Sequence, residues 1–331
     1  MNSIIGASDI GRGRGGAGRC ARAILCATRD PLSAARWSSL CGWSLAAFVA
    51  LRATAGLPQE APISSLPSLG PLTLTSNQDQ GEGPAGDPLT PQNLLQLEYQ
   101  VKTTPGTNLN GEPDTVTTDT TKLRGDLSFN LSPYWQLVFR GDLPYLAKDA
   151  QNSEANPDGA FVYGWGDSDV QAALINEINA RWKAGAGVRF IAPTGGDYFG
   201  SGKWQVQPVV GFRYALPEFG KGGYFEPLLR WTYSFAGDPT KKNINNLQLA
   251  PMVNFSLPDR WFFTLYPSTD IRWNFGDAAT GQTGRLFLPF DARIGKKFSD
   301  LFNVSLEVGV PIIKRYPVYN FMTALRFNLT F

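Results

Sequence analysis

The sequence predicts an all-β fold: a transmembrane antiparallel up-and-down β-barrel of about twelve strands, preceded by a signal peptide and a short disordered periplasmic arm. Three observations predict it. The last thirteen residues alternate strictly, with Tyr319, Phe321, Thr323, Leu325, Phe327, Leu329 and Phe331 on one face and Asn320, Met322, Ala324, Arg326, Asn328 and Thr330 on the other. Period two over that length describes a strand with one apolar and one polar side, near the length that crosses a bilayer at a tilt. About twelve such runs follow Pro91, and their connections alternate between long hydrophilic stretches and tight turns. Throughout these runs the charges gather on one face only.

The first 55 residues differ from the rest. Seven Arg stand against Asp9 and Asp30, then an apolar run from Leu40 to Leu51 precedes Ala53-Thr54-Ala55. A basic region, a short apolar core and an A-x-A site make a secretory signal peptide, so residues 1–55 are expected to be removed. The apolar run falls short of the roughly 18 residues of a membrane-crossing helix. Taking the seven Arg and two Asp from the chain's 30 basic and 28 acidic residues leaves a mature charge near −3. The apparent basicity therefore belongs to the presequence and implies no nucleic-acid partner. All three cysteines lie there too, and the chain has no histidine.

Residues 56–91 are rich in Pro, Gly, Ser and Gln without periodicity, and read as a flexible periplasmic arm or a plug for the lumen. Residues 92–331 are the expected barrel. Its strands are predicted over 93–103, 119–131, 134–146, 167–179, 180–193, 203–216, 223–236, 245–257, 260–275, 284–297, 300–313 and 317–331. Long connections are expected at 104–118, 147–166, 194–202, 237–244 and 276–283. An even strand count puts both termini on the side of the tight turns.

The two faces fix which side is which. One face holds residues such as Leu95, Leu97, Phe139, Leu174, Leu229, Trp231, Phe290, Leu306 and Val308. The opposite face holds the charges expected to line the lumen: Glu98, Arg124, Arg140, Asp142, Asp169, Glu177, Arg189, Arg213, Glu226, Arg230, Asp270, Arg272, Asp291, Arg293, Glu307 and Arg326. An Arg on the lipid side at mid-bilayer costs about 2–4 kcal/mol, so this segregation has a physical cause. A soluble barrel keeps its dry face inside, and the polar face here is too charged to form a packed core. Trp135, Trp182, Phe225, Trp261 and Phe302 follow tight turns. Tyr145, Trp204, Phe235, Trp273 and Phe287 lie near the long loops, so the aromatics form two belts at the two interfaces. Pro208, Pro227, Pro251, Pro267, Pro289 and Pro311 fall inside six consecutive strands, where they are read as bulges, kinks or early strand ends.

The absence of His and of a mature Cys excludes Ser-His-Asp and Cys-His nucleophilic sites and His/Cys metal sites. No catalytic residue, metal or cofactor is expected. Carboxylates could serve a sugar-cleaving site, but Asp142, Asp169 and Glu177 each have basic residues nearby and read as ion-paired. Gly11-Arg-Gly-Arg-Gly-Gly16 matches a nucleotide-binding pattern by letters alone, since it follows no strand.

The alternation of aromatics before a final Phe, at Phe327, Leu329 and Phe331, resembles the C-terminal assembly signal of bacterial outer-membrane barrels. It implies the outer-membrane barrel assembly machinery, outer-membrane lipid and lipopolysaccharide as partners. Gly164–Leu174 (GWGDSDVQAAL) and Ala192–Leu216 (APTGGDYFGSGKWQVQPVVGFRYAL) resemble the meta-pathway phenol-degradation outer-membrane protein family over residues 90–331. They share a G-x-G-D strand opening, a P-T-G strand end, a short Gly-rich loop and W-x-x-x-P. The chain is also distantly similar to outer-membrane long-chain fatty-acid transporters, but has fewer strands and no hatch motif. What the resemblance implies is an outer-membrane transporter without catalytic residues, passing small, aromatic or hydrophobic molecules by diffusion. The alternative is a closed structural or adhesive barrel acting through the loops at 104–118 and 147–166.

Overall fold

The computed structural model describes residues 73–74, 86–107, 113–149, 159–268 and 271–331. The presequence and most of the arm expected over 56–91 lie outside the described residues, as does Asp270. Twelve staves form one sheet. β1 is Leu94–Thr107, β2 Pro113–Ser132 and β3 Trp135–Asp149. β4 runs in two pieces, Phe161–Trp165 and Asp169–Glu177, both paired with β3. β5 is Trp182–Ile191, β6 Lys203–Ala215, β7 Tyr224–Gly237 and β8 Asn245–Ser256. β9 is also split, into Trp261–Leu265 and Ile271–Asn274. β10 is Leu286–Lys297, β11 Phe302–Lys314 and β12 Phe321–Thr330. Each stave pairs antiparallel with the next, and β12 closes on β1 from Phe321 opposite Thr103 to Thr330 opposite Leu94. Closure removes the sheet edges, and only a closed sheet satisfies its backbone in hydrocarbon.

Neighbouring residues show which way the wall faces. Leu97 is 45 % exposed and Glu98, the next residue, 3 %. Phe139, Val170, Trp231, Phe290, Leu306 and Leu329 are exposed on the outside, whereas Glu226, Asp291 and Glu307 are completely buried inside. A surface of exposed Leu, Phe and Trp around a charged interior suits lipid and not water.

Four expectations need correction. The stretch 104–118 is largely strand, because β1 and β2 stay paired up to Thr107 opposite Pro113. Its threonines favour strands, but beyond the bilayer both faces meet water and the apolar alternation disappears. Likewise part of 147–166 is strand, with Ala147 opposite Tyr163. Tyr319 is not on the lipid face: β12 starts at Phe321, and Tyr319 turns inward to stack edge-on against Phe287, with ring centroids 4.8 Å apart. Phe287 itself lies three residues from the outward Phe290, so alternation turns it into the lumen and removes it from the upper aromatic belt.

The prolines sit where the ladder has gaps. β9 breaks between Leu265 and Ile271, and the facing residues are Ala250 to Met252 on β8 and Leu288 to Asp291 on β10. Pro251 and Pro289 thus flank the break that contains Pro267, where a residue without an N–H group has fewer ladder bonds to supply. Pro227 stands opposite Pro251 without any shift in register. Pro311 stands opposite Pro289 at a register shift. At Pro208 the β6–β7 pairing lapses across Gln207 and Pro208.

Candidate functional site: the charged lumen

The strand register builds the lumen row by row. Residues directly opposite in an antiparallel pair share a face, so inward positions on successive staves become neighbours. Arg124 stands opposite Asp142 and is bidentate, with Nε to Oδ1 at 2.7 Å and Nη2 to Oδ2 at 2.9 Å. Two residues on, Asp126 stands opposite Arg140, whose Nε donates to Oδ1 at 2.8 Å. At the closing seam Arg326 faces Glu98 and donates to it at 2.6 Å, while its Nη1 reaches Glu307 on β11. Lys122 completes that group, 2.9 Å from Glu98. Arg189 lies 3.3 Å from Asp169 and donates twice to the Gln171 Oε1. Glu177 pairs with Lys183 at 3.0 Å, near the tight turn and partly exposed. Carboxylates that bind guanidinium in this way are structural, and such planar forks hold the two side chains in fixed orientation.

Across the lumen the rows change character. Gln171 stands between Arg140 and Arg189, and Gln207 lies opposite Arg189 on the far side. Gln248 has Arg230 opposite it on β7 and Arg272 opposite it on β9. Thr232 links the two amides, accepting from Gln207 at 2.6 Å and from Gln248 at 2.9 Å. Arg293 stands opposite Glu307 in register, yet Glu307 is taken by Arg326, and the Arg293 guanidinium lies 5.8 Å from the Phe262 ring centroid. Asp291 is fully buried on the same face of β10.

Residues 86–93 enter from the tight-turn end. Asp87 bonds Arg213, which also donates to the Thr90 hydroxyl at 2.6 Å and stacks 3.9 Å above the Tyr224 ring. Glu226 is 3.9 Å from the same guanidinium. Leu89 packs with Val138, Ile175, Tyr224, Leu228, Ala250 and Met252, an apolar cluster inside a polar tube. Above it lies a cavity of about 280 Å³, bordered by Gly86 to Pro88, Gln96, Arg189, Arg230, Arg272 and Arg293.

The sequence reading placed these charges on one face, but left the glutamines unremarked. Gln96, Gln171 and Gln207 share the parity of the charged residues on their staves, and Gln248 that of the buried Asn246 and Asn254, and that was the available signal. Asp87 and Leu89 had no signal, because nothing periodic surrounds them. Asp167 was also missed. It accepts from the Gly195 N–H at 3.1 Å, the Ser201 N–H at 2.7 Å and the Ser201 hydroxyl at 2.6 Å, tying loop 192–202 to the break between the two pieces of β4. A side chain at Gly195 would meet the Gly200 backbone at 2.7 Å, which explains two glycines of the P-T-G loop. The Gly and Asp residues that carried the family resemblance thus build a loop latch.

These features define a transmembrane antiparallel β-barrel with a charged, partly occupied lumen. No protein-family model matches the chain, and no curated protein matches it. Solved structures do. A crystallised outer membrane channel from Pseudomonas putida F1 is similar in fold, with a TM-score of 0.57 at 21 % identity over 78 % of this chain and 100 % of that one. The KdgM porin gives a TM-score of 0.40 at 10 % identity over 72 % of this chain and 99 % of that one. The CymD monoaromatic hydrocarbon channel gives 0.41 at 10 % identity over 72 % of this chain and 88 % of that one.

Proposed function

We propose that this barrel lies in the bacterial outer membrane and passes small solutes by diffusion through its charged lumen. The observation that carries the reading is the inverted wall, apolar outside and charged inside around a cavity of about 280 Å³. Fold similarity to the Pseudomonas putida channel supports it. The described residues among those expected to line the lumen serve two purposes on this reading. Those in bidentate pairs hold the cylinder, and Arg189, Arg230, Arg272 and Arg293 meet the solute. No step requires a cofactor or a catalytic group. Lipid and lipopolysaccharide cover the exposed belt, and the outward face of Phe327, Leu329 and Phe331 is what the assembly machinery takes up.

The arm residues 86–93 favour a second reading, a closed barrel that works through its loops. Asp87 on Arg213 and Leu89 in the apolar cluster occupy the lumen at one end. Single-channel recording of the folded barrel in a planar bilayer separates the two. Steady ohmic current supports the channel. Silence from a folded, heat-modifiable barrel supports the closed reading.

A further inference from the structure

We propose that the inner wall carries a socket for residues 86–93 of this same chain, and that the segment is a reversible plug. It is released when Arg213 exchanges the arm's Asp87 for Glu226 of the wall. The docking stands without the channel reading, and only its effect on flow rests on that reading.

The row that contains Arg213 departs from its counterparts. Arg124, Arg140 and Arg326 each face a carboxylate across the strands and bond it directly. Gly211 stands opposite Leu228 and Tyr214 opposite Phe225, so the same register sets Arg213 against Glu226. Yet Glu226 is left 3.9 Å from the Arg213 Nη1, and that nitrogen bonds Asp87 and the Thr90 hydroxyl instead. Glu226 is completely buried and makes no side-chain hydrogen bond among the described residues. Lys183 and Arg230 act on it from farther away, and from the arm the Leu89 N–H does so too. Two carboxylates thus share one guanidinium, and the arm's carboxylate has displaced the wall's. A buried carboxylate is costly without a close cation, so Glu226 takes up Arg213 once Asp87 withdraws into water. The guanidinium is then paired in both states, which lowers the cost of releasing the arm.

The socket fits one side chain. Leu89 is buried among Ile175, Tyr224, Leu228 and Met252. A Cβ at Gly185 would meet the Leu89 Cδ2 at 2.6 Å, so the missing side chain of Gly185 makes the room that Leu89 fills. Asp87 also accepts from the Leu89 N–H at 3.0 Å, and the arm presents its carboxylate and its leucine as one unit. An apolar pit beside a guanidinium suits that pair, and the wall supplies both.

The test uses the full chain, purified from membranes in detergent, with hydrogen exchange of the Leu89 and Thr90 amides reporting release of the arm. Glu226→Gln removes the competing carboxylate and is expected to slow that exchange about fivefold or more. A merely structural Glu226 gives the opposite sign, because its loss would loosen the groups around Arg213. Gly185→Ala fills the room that Leu89 needs and is expected to speed the exchange about tenfold or more, with the strand amides unchanged. If it loses its heat-modifiable band, Leu89→Ala carries the same comparison. Unchanged or faster arm exchange in folded Glu226→Gln overturns the exchange of partners. Unchanged arm exchange in folded Gly185→Ala, or in Leu89→Ala where that replaces it, overturns the socket. A bilayer recording keeps the two readings apart. A silent barrel whose arm follows both signs removes the channel and supports the socket and its exchange. A conducting barrel whose arm is indifferent to both variants keeps the channel and removes the plug.

Discussion

The two sides of the barrel wall handle buried charge differently. From β12 through β1 to β3, staves run unbroken and each inward arginine meets a carboxylate on the next stave: Arg326 with Glu98, Arg124 with Asp142, Arg140 with Asp126. From β6 to β11 the staves carry the six prolines, β9 breaks, and Arg230 and Arg272 meet Gln248. Glu307 shows the contrast at one residue. It lies between Arg293 on β10 and Arg326 on β12, and bonds Arg326. A charge matched by its cross-strand neighbour fixes the cylinder. On the proposed channel reading, one side is scaffold and the other is contact surface.

The largest effect expected from breaking this comparison is at the seam. Arg326→Met leaves Glu98 and Glu307 buried, the former with only Lys122. Removing one partner of a buried pair costs about 3–5 kcal/mol, to be read from the urea midpoint of the heat-modifiable band. Arg293→Gln on the other side of Glu307 should cost about 1 kcal/mol or less while lowering anion selectivity, because its Nε donates to no described group. Equal destabilisation by the two variants would erase the distinction between the two sides.

Intermediate effects belong to the arm and the loop latch. Asp87→Ala removes the partner that holds residues 86–93 on Arg213. It should raise mean conductance and lower stability by about 1–3 kcal/mol, the cost of a charged hydrogen bond lost in a buried place. Unchanged conductance would mean that these residues do not obstruct the pathway. Asp167→Ala loses three accepted bonds in loop 192–202, so hydrogen exchange there should rise at least about tenfold while the staves keep their protection. The smallest effect is expected at Arg260→Gln. Its partner Asp300 is 3.2 Å away across two exposed turns, and such surface pairs contribute about 0.2–1 kcal/mol.

Much of the barrel was legible because its cause is local. Leu95, Leu97 and Tyr99 alternate with Gln96 and Glu98 on one stave, and lipid on one side leaves no other arrangement at low cost. The strand count and the alternation of long and tight connections followed from the same pattern. Legibility ended where that constraint ends. Thr104 to Thr107 and Pro113 to Thr118 stand beyond the apolar belt, so their strands carry no alternation. Phe287 was placed outside because aromatic identity outweighed parity, and Tyr319 because the alternation was carried past the start of β12; the two meet inside the lumen.

The sequence by itself determined a closed wall, its inward and outward faces and the absence of any histidine. Those follow from side-chain period and composition, which act residue by residue. Only the tertiary structure decided which charge meets which. Arg326 and Glu98 are 228 positions apart in the chain and touch because β12 closes on β1 in one register. Register also places Gln248 between Arg230 and Arg272, and puts the break in β9 between Pro251 and Pro289. A shift of one residue would turn every one of these side chains to the other face. The field inside the lumen is therefore a property of strand register, which no single stave encodes.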